Sequence, residues 1–175
     1  MRGWVPATVV AVLLAVGIGT AAYFTLGRGT GGSVSPTPSV ALHSKEAVVA
    51  AIRHYYDVEA EARKTGNADL IDAVTIGHNS IASQNFHAYV SEQAARGKRS
   101  IILQNYYAHW VTSISGDKAN VNFTFWLKGH DINASTGQAV EADMLTRKSH
   151  YQMLLQLVQG RWLVSERDLL SQDAA

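Results

Sequence analysis

Residues 115–129 read SGDKANVNFTFWLKG, and this stretch decides the fold. Over residues 119–128, apolar and polar side chains alternate, and a period of two residues is typical of a strand with one buried face. The Ser-Gly-Asp-Lys segment before this strand favours a hairpin turn. Trp110 and Ile114 in the preceding segment then share its buried face. The sequence therefore predicts an antiparallel hairpin.

Two further strands are predicted after this hairpin. Residues 142–157 end in an alternating apolar pattern, and residues 161–167 follow a Gln-Gly turn. Before them, residues 129–139 (GHDINASTGQA) are rich in turn-forming residues and are interpreted as a loop. The second half of the chain is thus expected to form a meander of about four antiparallel strands.

Helices are predicted before the sheet. Residues 44–64 repeat apolar side chains at helical spacing, with Ser44 as an N-cap and Gly66 as a left-handed stop. Shorter patterns predict a helix at residues 69–74 and another at residues 80–96. Helices followed by a meander indicate an α+β fold in which the helices pack on one face of a curved antiparallel sheet.

The N-terminus carries a run of 22 residues without a charge, residues 5–26 (VPATVVAVLLAVGIGTAAYFTL), flanked by Arg2 and Arg28. A helix of that length spans the hydrocarbon core of a bilayer. We interpret it as an uncleaved single-pass membrane anchor. The alternative is a signal peptide cut near Ala21-Ala22, but the apolar core of such peptides is usually shorter.

The chain is divided accordingly. Residues 1–27 are a short cytoplasmic head and the transmembrane helix, residues 28–42 a flexible Gly/Ser/Pro linker, residues 43–170 the folded domain and residues 171–175 a tail. A short head before the anchor favours a cytoplasmic N-terminus and a domain outside the cell membrane.

Composition excludes several classes of function. The chain has 15 Lys and Arg against 14 Asp and Glu, a balance that argues against nucleic-acid binding. It has no cysteine, so disulfides, thiolate metal sites and a cysteine nucleophile are excluded. No phosphate-binding glycine loop or nucleophile elbow is present, and no cofactor is predicted.

Three segments carry a family resemblance: residues 51–74 (AIRHYYDVEAEARKTGNADLIDAV), residues 115–129 quoted above and residues 160–169 (GRWLVSERDL). In this order they resemble the nuclear-transport-factor-two-like (NTF2-like), or SnoaL-like, cone fold, over residues 45–170. An anchor followed by an exported domain is also similar to the mammalian-cell-entry-associated membrane proteins and to conjugation-apparatus components. The resemblance implies the cone fold and carries over no functional residue.

A cone fold encloses a hollow, which is where a ligand site is expected. The alternation predicts six inward-facing candidates: Trp110, Phe123, Phe125, Asp143, Arg147 and Tyr151. A carboxylate among aromatic rings has a raised pKa and can act as a general base. The alternative is an ion pair at the open rim, which would contribute little. No catalytic residue is assigned.

Two other features are relevant to binding: the histidines, as possible metal ligands, and Trp126, as a possible contact with a partner. The seven histidines are scattered, and the nearest pair, His78 and His87, is nine residues apart, so no metal site is predicted. His130 and Asp131 in the loop would bind an ion only weakly. Trp126 falls on the face opposite Phe123 and is therefore a candidate contact with a partner.

These observations leave two hypotheses. The first is a non-catalytic, membrane-anchored envelope protein whose domain binds partner proteins or self-associates as an accessory or scaffold component. The alternative is a domain that binds a small apolar ligand in the cone, or converts it as an isomerase or hydrolase, with Asp143 as the polar group. An open hollow with an isolated carboxylate favours the second, and a hollow filled by Phe123, Phe125 and Met153 favours the first.

Overall fold

The structure is a computed structural model that describes residues 41–174. The predicted anchor at residues 5–26 and most of the linker lie outside these residues. Among the helices that the structure does describe, none is both long enough and apolar enough to cross a bilayer.

Within residues 41–174, two α-helices and a short 3-10 helix precede the sheet. Helix α1, Lys45–Thr65, starts where the Ser44 hydroxyl accepts a hydrogen bond from the Ala47 amide, and it ends at Gly66, whose φ is 72°. The 3-10 helix covers Ala68–Ala73 and helix α2 covers Ile81–Ala95. The capping signals in the sequence therefore predicted these helices to within a few residues.

The sheet that the structure describes is antiparallel, and its four long strands lie side by side in the order in which they occur along the chain. Strand β1, Lys98–Ser115, forms a hairpin with β2, Lys118–Asn133. A two-residue strand β3, Met144–Leu145, pairs with the end of β2. Strands β4, Ser149–Val158, and β5, Arg161–Gln172, complete the sheet. The fold is therefore α+β, with helices packed against an antiparallel sheet, as predicted.

The predicted continuous strand over residues 142–157 is wrong in its first half. The chain pairs with β2 at Met144 and Leu145 and then leaves the ladder before β4 begins. Between them, the Thr146 hydroxyl accepts a hydrogen bond from the Leu127 amide at 2.9 Å, where a regular ladder would use a carbonyl. The Thr146 amide still donates to the Leu127 carbonyl at 2.8 Å, and regular pairing with β2 resumes only at Ser149, so residues 134–143 and 146–148 are connecting segments.

Register shifts give the sheet its curvature. Two lie in β1, between Ile102 and Gln104 and between Ala108 and Val111. Bulges of this kind bend a strand and increase its twist. Gly129 lies opposite the first shift, where a Cβ atom would be 2.4 Å from the Ile101 carbonyl oxygen, so close approach of the two strands requires glycine there.

The core lies between the helices and the inner face of the sheet. One face of α1 is buried against the sheet, nearest to β1 and β5, and its Tyr56 reaches Phe123 and Phe125 of β2. The fully buried set at its centre has at most 3% exposure and consists of Val48, Ile52, Tyr55, Tyr56, Glu59, Ala62, Val121, Phe123, Met153 and Leu155. One member, Glu59, is charged, and it defines the interior site described next.

Candidate functional site

Four of the six residues predicted to line the hollow come together inside the sheet. The ring of Trp110 stacks on that of Phe123 with centroids 4.7 Å apart. The Tyr151 ring lies 6.2 Å from both Phe123 and Phe125. The period-two pattern of β2 places both phenylalanines on the inner face, and pairing with β4 brings Tyr151 beside Phe123.

Helix α1 closes this part of the hollow with an aromatic side chain. The Tyr56 ring stacks on Phe125 with centroids 4.1 Å apart and 20° between the planes, and it meets Phe123 edge-on at 6.1 Å. Met153 fills the neighbouring position on β4 with no exposed surface. Burial raises the pKa of the Tyr56 hydroxyl far above its ordinary value, so this group stays a neutral phenol. Side chains, not an open volume, occupy the centre of the cone.

Asp143 and Arg147 do not line the hollow, contrary to the prediction. Both are exposed: Asp143 lies in the connecting segment before β3 and Arg147 in the segment between β3 and β4, so neither is part of a paired strand on the inner face. The Asp143 carboxylate lies 2.8 Å from His130 Nδ1 and 3.5 Å from Lys128 Nζ. The hydrogen bond with His130 lowers the Asp143 pKa, opposite to the raised value that a general base requires.

The buried carboxylate is instead Glu59. Its side chain is 4% exposed, and its Oε2 accepts a hydrogen bond from Arg167 Nη1 at 2.7 Å. Its Oε1 accepts one from Arg63 Nε at 3.0 Å. Burial alone would raise the Glu59 pKa, but the charges of Arg167 and Arg63 outweigh it, so the pKa lies below its ordinary value. Glu59 is therefore an ionised and fully paired carboxylate.

The sequence did not predict the triad of Glu59, Arg63 and Arg167, although the sequence pattern of α1 contained part of the evidence for it. Glu59 falls on the same helical face as Tyr55 and Ala62, which is the apolar face of α1. A Glu-to-Arg spacing of four residues also predicts a contact with Arg63. Arg167 is 108 residues from Glu59, and only the register of β5 beside Met153 places it on the inner face.

A cavity of about 420 Å³ opens beside this triad. Aromatic rings and two guanidinium groups form most of its wall, which consists of Tyr55, Arg63, Ala82, Asn85, Phe86, Tyr89, Tyr151, Arg167, Asp168 and Leu169. The Arg63 guanidinium lies 4.1 Å above the Tyr89 ring, and that of Arg167 lies 5.2 Å from the Tyr151 ring. Both guanidinium groups are already paired with Glu59, and Asp168 adds a carboxylate, so the wall is more polar than the sequence predicted for an apolar ligand.

Trp126 lies on the outer face of the sheet, where the alternation predicted it. Its ring is parallel to that of Tyr106 within 4°, with centroids 5.4 Å apart. Lys148 Nζ lies 5.2 Å from the Trp126 ring, so the side chain is half-buried by its neighbours. The outer face thus carries an aromatic pair at its β1–β2 side.

Beyond this pair, the middle of the outer face lacks charged side chains. Directly paired residues of an antiparallel sheet point to the same side, so the register defines this face. We call outer patch the eight partly or fully exposed residues aligned across β1, β2 and β4, which surround the buried Thr124: Ala108, Val111, Ser113, Asn120, Asn122, His150, Gln152 and Leu154. The patch contains amides, a hydroxyl, apolar groups and one histidine.

Within the described residues, the fold also brings together one group of side chains that could hold a metal ion. His78 and His87 lie beside Asp72, with their ligand atoms within 4.8 Å of one another. The sequence separates these residues by six and nine positions, and only the packing of α2 against the 3-10 helix brings them together. Helical spacing did not reveal them because they lie on three different segments.

Comparisons with known proteins agree on the fold. No protein-family model matches the chain, and no curated protein matches it significantly in sequence. The intermembrane space region of the chloroplast protein ARC6 aligns with a TM-score of 0.56 at 12% identity, covering 77% of this chain and 99% of that one. A protein of unknown function from Mycobacterium tuberculosis gives 0.50 at 14%, covering 82% and 79%.

A third solved structure, described as an NTF2-like protein with a cystatin-like fold from Novosphingobium aromaticivorans, gives a TM-score of 0.45 at 13% identity, covering 74% of this chain and 84% of that one. Together with helices packed on an antiparallel sheet, the alignments with the ARC6 region and the Mycobacterium tuberculosis protein show a shared α+β fold. Identities this low show the fold alone. The resemblance to mammalian-cell-entry-associated membrane proteins stays a prediction.

Proposed function

We propose that this chain is a non-catalytic, membrane-anchored envelope protein whose domain binds another protein through the outer face of its sheet. In this role it is an accessory or scaffold component of a membrane assembly. The observation that carries the proposal is the outer patch, an uncharged sheet surface flanked by the Trp126 and Tyr106 pair.

The composition of the outer patch favours a protein interface. Solvent-facing strands usually carry charged side chains, and the cores of protein interfaces are depleted of them and enriched in aromatic residues. Val111, in the patch, is 64% exposed although apolar. Charged side chains flank this surface instead, at Lys118, Lys128 and Glu166. An uncharged centre with a charged rim is the arrangement expected of a docking surface.

The interior supports a binding role over a catalytic one. Side chains of Tyr56, Phe123 and Phe125 fill the cone, and the carboxylate inside it is held ionised between two guanidinium groups. A general base needs a pKa near the working pH and a free approach to substrate, and Glu59 offers neither. The apolar-ligand alternative has less support because Arg63 and Arg167 line the adjacent cavity.

The predicted anchor at residues 5–26 gives weak contacts a larger effect. A tether confines the domain to a thin layer and raises its effective concentration toward other membrane proteins. The likeness to ARC6 adds that a domain of this fold occurs in a space between two membranes. Anchor and docking face together support the scaffold role.

Replacing Trp126 with Ala is expected to weaken association more than folding. Loss of the stack with Tyr106 should cost about 0.5–1.5 kcal/mol of stability. Loss of an aromatic contact with the partner should cost about 2 kcal/mol of binding free energy, which is about 30-fold in affinity. Thermal melting and the crosslinked fraction in native membranes measure the two effects. Lys64→Ala on α1 is the matched surface control, and an unchanged crosslinked fraction in Trp126→Ala would contradict the proposal.

Protease added outside intact cells or spheroplasts is expected to remove the domain, because the proposed anchor leaves it outside the membrane. Immunoblotting against the domain would follow its loss, and a cytoplasmic protein in the same cells serves as the protected control. Full protection of the domain would show that the orientation is reversed.

A further inference from the structure

We propose that Asp72, His78 and His87 form a binding site for a divalent transition-metal ion such as Zn²⁺. The site is separate from the outer patch and from the Glu59 cavity, and it does not depend on the proposed function. It joins the 3-10 helix, the segment after it and helix α2 through one coordination centre.

The spacing of the ligand atoms fits a metal. Asp72 Oδ2 lies 3.0 Å from His78 Nδ1, and Asp72 Oδ1 lies 3.5 Å from His87 Nε2. A tetrahedral Zn²⁺ with bonds of about 2.1 Å holds its ligand atoms about 3.4 Å apart. The two imidazole rings are 4.5 Å apart between centroids, so both approach the carboxylate from neighbouring directions. The ion requires only small side-chain movements.

The environment of His87 Nε2 supports a bound ligand at this site. His87 Nε2 is inaccessible to solvent and makes no hydrogen bond within the described chain. A buried polar nitrogen without a partner is destabilising, and this one lies 3.5 Å from Asp72 Oδ1. A bound cation would supply the partner that this nitrogen lacks.

Ser83 fixes the carboxylate in place. Its hydroxyl, fully buried in the first turn of α2, donates a hydrogen bond of 2.5 Å to Asp72 Oδ1. His87 follows four residues later, so both side chains lie on the same face of the helix. In metal centres, a neighbouring side chain typically orients the metal-binding carboxylate through a hydrogen bond. We therefore assign Ser83 as a positioning residue.

The donor set selects the class of ion. Two imidazole nitrogens and one carboxylate suit Zn²⁺, Fe²⁺ and related first-row ions, whereas Mg²⁺ and Ca²⁺ prefer oxygen ligands. The His78 side chain is 65% exposed, so one side of the site faces solvent and leaves a coordination position for water or for a group from outside the domain. Three protein ligands with an open position are the arrangement of accessible zinc sites.

Metal titration of the untagged full-length chain in detergent tests this site. We expect one Zn²⁺ bound per chain, measured by isothermal calorimetry and by metal analysis after dialysis. Co²⁺ should bind with the visible absorption of a four-coordinate ion, and Mg²⁺ should not compete. His78→Ala and His87→Ala should each weaken Zn²⁺ binding by about 100-fold or more, and Ser83→Ala by about 10–100-fold.

His54→Ala supplies the control, because His54 is an exposed histidine of α1 away from the cluster. It should bind Zn²⁺ as the unchanged chain does. His78 is itself exposed, so its variant is expected to fold, and thermal melting verifies this. No Zn²⁺ binding by the unchanged chain, or binding that survives both His78→Ala and His87→Ala, would overturn the proposal and leave the cluster a hydrogen-bonded pair.

Discussion

Replacing Glu59 with Gln is expected to lower the free energy of unfolding by about 3–5 kcal/mol, the cost typical of removing one partner from a buried ion pair. The change leaves the guanidinium groups of Arg63 and Arg167 close together inside the domain without a counter-charge. Urea denaturation of Pro38–Ala175, one compact unit, followed by circular dichroism, measures the loss.

The matched control lies two residues further along the same helix. Glu61 is 53% exposed and pairs only with Lys64 at 3.3 Å, so Glu61→Gln should change stability by less than about 0.5 kcal/mol. Equal effects of the two substitutions would show that Glu59 is not a buried, paired carboxylate.

The ion pairs of Glu59 with Arg63 and Arg167 also predict that the stability of the domain depends on pH. The folded-state pKa of Glu59 lies below the ordinary value of 4.5, because the two arginines outweigh burial. Its contribution to stability is therefore complete above pH 4.5 and is lost as the pH falls through the lower folded-state pKa. The stability difference between the unchanged domain and Glu59→Gln should be constant near neutral pH and shrink in acid. A stability difference that grows in acid would contradict a lowered folded-state pKa of Glu59.

Replacing Phe123 with Ala is expected to cost about 3–5 kcal/mol, because the ring is 2% exposed and its removal leaves a cavity among stacked aromatic side chains. Trp126→Ala is the control, since it removes a larger ring from the opposite face of the same strand. It should cost about 0.5–1.5 kcal/mol. Urea denaturation of both variants gives the comparison.

The cavity left in Phe123→Ala also tests whether the cone is filled. An apolar void of this kind binds small aromatic molecules, so benzene should raise the melting temperature of Phe123→Ala and leave that of the unchanged domain as it was. A similar rise in the unchanged domain would indicate an open hollow, and would favour the ligand-binding alternative.

Local signals in the sequence predicted much of the fold. Ser44 and Gly66 marked both ends of α1, and the alternation through Phe123 and Phe125 gave the inner face of β2. The same alternation placed Trp126 on the outer face. These features depend on neighbouring residues, which is why a single sequence was sufficient for them.

The candidate sites depended on distant residues and were harder to predict. Asp143 lies outside the hollow because it belongs to the connecting segment before the two-residue strand β3, and periodicity does not show where a short strand begins. Glu59 meets Arg167 only through the register of β5, and His87 meets Asp72 only through the packing of α2. Charge on an otherwise apolar helical face is the signal that would have identified Glu59 from the sequence.

Photo-crosslinking from the outer patch tests the central claim most directly. A photoreactive residue in place of Val111, in the full-length chain in its native membranes, should form an adduct with one distinct protein, and the same residue at Lys64 on α1 should form none. An adduct of twice the 19.0 kDa chain mass would identify a second copy as the partner. No adduct from Val111, or the same adducts from both positions, would contradict a docking role for the outer face.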